Sequence, residues 1–206
     1  MTHPIISYIR NQTNQKINYA EYMAKVLYDP QYGYYMKQKE KVGKKGDFIT
    51  TSNVHSIFAK VFCSIFHEVI TKNNLPFIIC EIGGGTGRFA YDLLKEWKGK
   101  YPDTYEELSY FLIEQSPYHI TMQKELLGEF NNVHYSPSIE QMNIEAFEGI
   151  VFSNELIDAL PVHVIEKENN VIYEVFITVN ELDELTEVNV PLENKEIQMW
   201  LDTYGS

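Results

Sequence analysis

An α/β domain built on a doubly wound, mostly parallel sheet is the fold class this sequence predicts, and three observations predict it. Short apolar runs at 77–82, 110–113, 133–135 and 150–152 read as four strands. The first of them is apolar almost throughout, as expected for a parallel strand covered on both faces. Helical stretches at 88–97 and 117–127 stand between the strands, the alternation that closes into a parallel sheet with helices on its faces. A glycine-rich run from Gly83 to Gly87 joins the first strand directly to its helix.

Ahead of this sheet, residues 4–12 form a first helical segment. Asn18 suits the N-cap of a second, which runs to Leu27 and is ended by Asp29-Pro30, with Gly33-Tyr34-Tyr35 in a turn. Residues 37–52, rich in Gly and Lys, read as a loop. Asn53 caps the clearest helix of the chain. Val54, Ile57, Phe58, Val61, Phe62, Ile65, Phe66, Val69 and Ile70 recur there at helical spacing and predict one broad buried face. Beyond the fourth strand, 162–165 and 171–177 flank Asn169-Asn170 as a β-hairpin. From Asn180 onward the chain reads as an acidic tail that closes in an amphipathic piece, 193–204.

Charge and cysteine usage narrow the function classes. With 29 Asp and Glu against 17 Lys and Arg, the net charge is −12. That balance disfavours a nucleic-acid interface, which needs clustered cations, and suits a cationic partner as well as simple solubility. Cys63 and Cys80 sit in apolar runs without metal-ligand spacing, so neither a disulfide nor a zinc site is expected, and a reducing cytoplasm fits. No run has the length of a membrane span or the pattern of a leader peptide. The expectation is a soluble cytoplasmic protein with no nucleic-acid, membrane or metal partner. His3, His55, His67, His119, His134 and His163 show no metal or triad spacing and are read as structural or surface residues.

The chemistry concentrates in four places. Glu81-Ile82-Gly83-Gly84-Gly85-Thr86-Gly87 follows a strand and opens a helix. Glycines let the chain turn sharply and approach a ligand, and the helix start offers free N–H groups to an anion. The dinucleotide fingerprint G-x-G-x-x-G/A fails at its last position, which is Arg88. The third glycine is Gly87 instead, giving the E-x-G-x-G-x-G form typical of adenosylmethionine enzymes, in which the anion is the methionine carboxylate. Second, Glu114 ends the second strand and is placed to accept ribose hydroxyls, with Gln115 and Ser116 beside it. Third, Asn154-Glu155-Leu156-Ile157-Asp158-Ala159-Leu160-Pro161 lies past the fourth strand, where ligands of an open α/β sheet bind; a helix-start capping pair is the simpler reading of Glu155 and Asp158. Fourth, Gly46-Asp47-Phe48, followed by Thr50, Thr51 and Ser52, suits either a lid over a cofactor or a capping segment.

With these pieces in order the chain resembles the MidA-like methyltransferases. The matching blocks are Tyr22-Met23, Asp29-Pro30-x-x-Gly33-Tyr34-Tyr35, Gly46-Asp47-Phe48, Glu81-x-Gly83-x-Gly85-x-Gly87, Glu114-x-Ser116-Pro117 and Asn154-Glu155-x-x-Asp158-Ala159-Leu160-Pro161. The resemblance implies a Rossmann-like class I methyltransferase that uses S-adenosyl-L-methionine, with a protein arginine as the substrate of the family's mitochondrial member. Expected cofactor contacts are Gly46, Glu81, Gly83, Gly84, Gly85, Gly87, Glu114, Gln115, Ser116 and Asn154. An arginine keeps its proton to above about pH 12, so carboxylates are needed to hold its fork and take up the proton. Glu155 is the first candidate, then Asp47 and Asp158, with Asn154 presenting its amide to cofactor or substrate.

The expected division is an N-terminal helical and cofactor-lid segment at 1–75, a cofactor-binding core at 76–161, and a hairpin and acidic tail at 162–206 within the same domain. Family members usually continue further, so the chain is expected to be C-terminally incomplete. Its fourth strand would then be a bare edge, inviting a homodimer, a swapped segment or cover by 162–177. The alternative functions are an adenosylmethionine-binding assembly scaffold without turnover and, less favoured by the glycine spacing, a nicotinamide dehydrogenase.

Overall fold

The computed structural model describes residues 3–37, 56–142 and 147–205. In chain order the elements are α1 (Pro4–Arg10), β1 (Lys16–Asn18), α2 (Tyr19–Tyr28), α3 (Ser56–Asn73), β2 (Ile78–Ile82), α4 (Arg88–Lys100), α5 (Pro102–Tyr105), β3 (Ser109–Ile113), α6 (Pro117–Leu126), β4 (Val133–Ser136), β5 (Ile150–Ser153), β6 (Ile165–Glu168), β7 (Val171–Val179), β8 (Leu185–Pro191) and α7 (Lys195–Tyr204), with 3-10 turns at Tyr34–Met36, Ile139–Gln141 and Ile157–Ala159. They divide into two compact units: the described parts of Met1–Met36 and Ala159–Ser206, and those of Lys37–Asp158. This grouping differs from the division at 75 and 161 expected from sequence. The reason is packing: α3 shares a core with the parallel sheet, while α1 shares one with the C-terminal strands.

The larger unit carries a sheet in the order β4-β3-β2-β5, every pair parallel. Side chains alternate across a strand, so Ile79, Tyr110 and Leu112 face one way. They meet Phe66 and Ile70 of α3 and Leu93, Leu94 and Trp97 of α4. Cys80 and Ile113 face the other way with Met142, and Ile82, Phe111 and Phe147 pack around them. The rare feature of α3 is its exposed apolar stripe. Ala59, Cys63, Phe66 and Ile70 are buried, but Ile57, Val61, Ile65 and Val69 stand 68%, 51%, 43% and 40% exposed. The broad buried face expected from sequence is thus only half used. Residues 57, 61, 65 and 69 form their own row along the helix, one row aside from the core-facing one. Asn53 and Val54 lie outside the described residues.

In the smaller unit β7 is central. β8 runs along one edge, while β1 and β6 share the other, all antiparallel. Asn169 and Asn170 turn the β6–β7 hairpin with φ of 48° and 64°, the left-handed pair that a two-residue hairpin turn requires. Ile5 and Ile9 of α1 pack on Ile17 and Ile177. Three expectations change here. The hairpin's first strand is Ile165–Glu168 rather than 162–165; β8 replaces part of the acidic tail; and β1 precedes α2. Because 165–179 pair within this second sheet, they do not pair with β5, and among the described residues no strand lies on β5's outer edge.

Candidate active site

The parallel register brings the candidate residues to one level. Ile82 pairs with Ile113 on one side and Ser153 on the other. The next residue along each strand is therefore Gly83, Glu114 or Asn154, side by side at the carboxyl ends of three adjacent strands, where ligands of such sheets bind. The Gly83 N–H still donates to Ile113 O at 2.9 Å before the chain turns away.

The turn itself needs glycine. Gly83, Gly85 and Gly87 have φ of 73°, 53° and 80°, a region costly for residues with a Cβ. A side chain on Gly85 would meet no protein atom within 4 Å, whereas one on Gly84 would lie 2.7 Å from Leu112 Cδ2 and 3.3 Å from Glu81 Cδ. Gly84 therefore serves packing beneath the turn, and Gly85 leaves space above it. Gly87 is the N-cap of α4 and supplies no side-chain cap, so the helix start keeps N–H groups for an anion. Space over Gly85 and these donors fit the adenosylmethionine group that the motif implies.

Glu81 does not reach that space. It is 4% exposed and accepts a hydrogen bond from the Tyr110 hydroxyl at 2.7 Å. Burial pushes its carboxyl up to about 7, the Tyr110 bond opposes this, and the Glu114 charge adds to it. Its place is below the glycines, where a side chain on Gly84 would lie 3.3 Å from its Cδ.

Glu114 folds back on the chain that follows it. Its Oε1 accepts from the N–H groups of Gln115 and Ser116, both at 2.9 Å, and its Oε2 lies 3.4 Å from His119 Nδ1. Burial pushes this carboxyl up, but the bond to His119, the two backbone donors and the His119 charge outweigh it and hold it below its ordinary value. Gln115 is exposed; Ser116 is buried, and its Oγ caps α6 by accepting from His119 N at 3.4 Å. The Ser116 hydroxyl is thus engaged in the helix cap.

Past β5, Asn154 is half-buried, and Glu155 and Asp158 are exposed. Glu155 holds φ of 52° without being glycine, a strained backbone of the kind that recurs at functional sites. Leu156 comes back over the glycine turn, 2.9 Å from where a Gly83 Cβ would stand. The structure therefore gathers the glycines, Glu114 and the Asn154–Asp158 segment. Gly46 and Asp47 lie outside the described residues, and with them the expected lid.

Sequence reasoning passed over three participants. His119 was read as structural or surface, yet it neighbours Glu114. Gln123 of α6 is fully buried and donates from Nε2 to Gly85 O at 2.8 Å. Tyr110 supports Glu81. The available signal was spacing: residues 119 and 123 lie one helical turn apart, just after the acid. His163, also read as structural, is 2.6 Å from the buried Glu174 in the smaller unit.

Comparison with known proteins agrees with this geometry. The model of a family described as "Putative S-adenosyl-L-methionine-dependent methyltransferase" matches residues 57–206. A mitochondrial protein arginine methyltransferase NDUFAF7 homolog of Drosophila melanogaster is 30% identical over 80% of this chain and 42% of its own. The Danio rerio NDUFAF7 is 28% identical over 80% of this chain and 44% of its own. A superfamily member from Burkholderia thailandensis, solved bound to S-adenosyl-homocysteine, superposes with a TM-score of 0.76 and 25% identity over 91% of this chain and 49% of its own. The chain thus spans less than half the length of these relatives. With that match over most of its residues, and a glycine turn and strand-end acids at the carboxyl edge of a parallel sheet, the chain belongs to the MidA-like family of S-adenosylmethionine-dependent methyltransferases.

Proposed function

We propose that this chain binds S-adenosylmethionine across Gly83–Gly87, with Glu114 on the ribose, and that it directs the methyl group to a protein arginine. The observation that carries the reading is the shared level of Gly83, Glu114 and Asn154 on three adjacent strands. The cofactor's chemistry is a methyl carbon already activated by its sulfonium. What the protein adds is alignment and removal of water. Glu155 and Asp158, exposed beyond β5, would hold the guanidinium fork and take up the proton it loses when its nitrogen gains the methyl group, the methyl–sulfur bond breaking to leave S-adenosylhomocysteine. Asp47 joins them on sequence grounds, and Asn154, half-buried at the strand end, presents its amide or backbone to cofactor or substrate. The net charge of −12 favours approach of a cationic protein.

Two free cysteines fit a reducing compartment, and we place the chain in the cytoplasm. Both thiols are buried, and burial pushes the Cys63 thiol up to about 12 and the Cys80 thiol up to about 11, away from the thiolate that nucleophilic chemistry uses. Among the described residues no helix is long and apolar enough to cross a membrane.

The test is transfer of isotope-labelled methyl from S-adenosylmethionine to arginine-bearing proteins, with the product read by mass spectrometry. Methylarginine that disappears in Glu155→Gln supports the reading. A protein that binds cofactor and labels some other residue type overturns the arginine assignment.

A further inference from the structure

The buried side of α6 carries two polar residues one turn apart, His119 and Gln123, and each touches a different part of the cofactor site. His119 neighbours Glu114 through Nδ1 at 3.4 Å. Gln123 donates from Nε2 to Gly85 O at 2.8 Å. Its Cγ lies 3.0 Å, and its Nε2 3.5 Å, from where Cβ atoms on Gly87 and Gly84 would stand. The side chain thus fills the space that two of the glycines leave below the turn.

The other end of the same amide shows what this arrangement costs. Gln123 is 0% exposed, and its Oε1 has no hydrogen-bond partner among the described residues. A buried acceptor without a donor is unfavourable, and such cases in folded proteins call for an explanation. Reversing the amide would bring Oε1 against the Gly85 carbonyl, two acceptors face to face. The orientation that leaves Oε1 unpaired is the one that clamps the turn. A residue kept merely for packing would be better served by Leu or Met.

We infer that Gln123 is a positioning residue of the cofactor site: from α6 it holds the glycine turn through Gly85 O and, on the same helix as His119, ties that turn to Glu114. The inference rests on the reading of this turn as the adenosylmethionine site. The clamp keeps the peptide carbonyl of Gly85 directed down into the protein, so the face above the turn stays open to ligand. It also makes the two halves of the site move as one, because displacement of α6 shifts the neighbour of Glu114 and the anchor of the turn together.

Two variants test it in the whole chain, with S-adenosylhomocysteine as probe. Gln123→Met keeps the volume and removes the donor. Gln123→Glu keeps the shape, and sets a carboxylate against the Gly85 carbonyl at high pH but a donating hydroxyl when protonated. Other titratable groups around this position are Glu81 on β2, Tyr110 on β3, Glu114 after β3 and His119 on α6. All are shared with the unmodified protein, so affinities are compared as ratios at each pH.

Expected for Gln123→Met is an affinity loss of about tenfold at every pH, the scale of one hydrogen bond. Gln123→Glu should lose at least as much at pH 8 and recover most of it at pH 6. Hydrogen exchange without ligand should quicken at residues 83–88 in Gln123→Met and stay unchanged in the centre of β3. Variants that fold, exchange and bind like the unmodified protein overturn the clamp. A uniform loss in Gln123→Glu, with no recovery at low pH, overturns it as well, since a packing role has no such pH profile. If the unmodified protein fails to bind S-adenosylhomocysteine, the cofactor reading fails and the positioning role with it, a result distinct from equal binding by all three proteins.

Discussion

The Tyr110 hydroxyl donates to Glu81 Oε2 across 2.7 Å in the fully buried layer beneath the glycine turn. Tyr110 pairs with Ile79 in the sheet register, two residues before Glu81 on the neighbouring strand, so its long side chain reaches up and diagonally to the acid. The bond supplies a neutral donor to a carboxyl that burial would otherwise leave costly.

A pH dependence of stability follows from this pair. Burial raises the Glu81 carboxyl from an ordinary value of 4.5 to about 7. The folded chain then holds a proton that the unfolded chain has released, so this group's stabilising contribution is full below about pH 4.5 and is lost as pH rises through about 7. Glu81→Gln should flatten that slope in denaturant titrations between pH 5 and 8. A slope unchanged by the substitution would show that other groups produce it.

Tyr110→Phe removes the donor and keeps the ring. Stability should fall by about 1–3 kcal/mol, the cost of leaving a buried polar group unpaired. The loss should be larger at pH 8, where the acid is charged, than at pH 5. Thermal unfolding at the two pH values reads it.

Glu114→Ala should weaken S-adenosylhomocysteine binding by about 1.5–3 kcal/mol, the scale of hydrogen bonds to a charged group. Glu114 is held below its ordinary value, so it stays ionised through the neutral range, and affinity due to it should decline only on acidification past its folded value. Calorimetry showing unchanged affinity in a well-folded variant would remove Glu114 from the site.

Gly85→Ala and Gly84→Ala separate binding from folding. Both should lower stability, Gly85→Ala by about 1 kcal/mol through its left-handed backbone and Gly84→Ala through contact with Leu112, 2.7 Å from the added carbon. Only Gly85→Ala places its methyl above the turn, so it should lose more cofactor affinity relative to its loss of stability. Equal ratios for the two variants would mean that the ligand does not pass over Gly85.

Much of this site is written in local sequence, and what is not has a physical reason. β2, the turn, α4, β3, α6 and β5 all carry strong periodic or apolar signals, and they position Gly83, Glu114 and Asn154. β8 carries a weaker signal: Thr186, Val188 and Val190 alternate with Glu187 and Asn189, but its residues are nearly all exposed and sit in an acidic stretch, so it reads as tail until β7 is present to pair with it. The exposed row of Ile57, Val61, Ile65 and Val69 is invisible to periodicity, which counts apolar residues without knowing how many faces have partners. Gln123 and His119 act through contacts 38 positions away in one case and across a helix cap in the other. Only the fold brings them to the site.

The most direct measurement is a crystal structure of the chain grown with saturating S-adenosylhomocysteine. Expected is ligand density over Gly83–Gly87, with its carboxylate at the start of α4 and its ribose on Glu114. Ligand bound elsewhere, or a folded chain whose glycine turn stays empty at saturating concentration, would contradict the assignment of this edge of the sheet as the cofactor site.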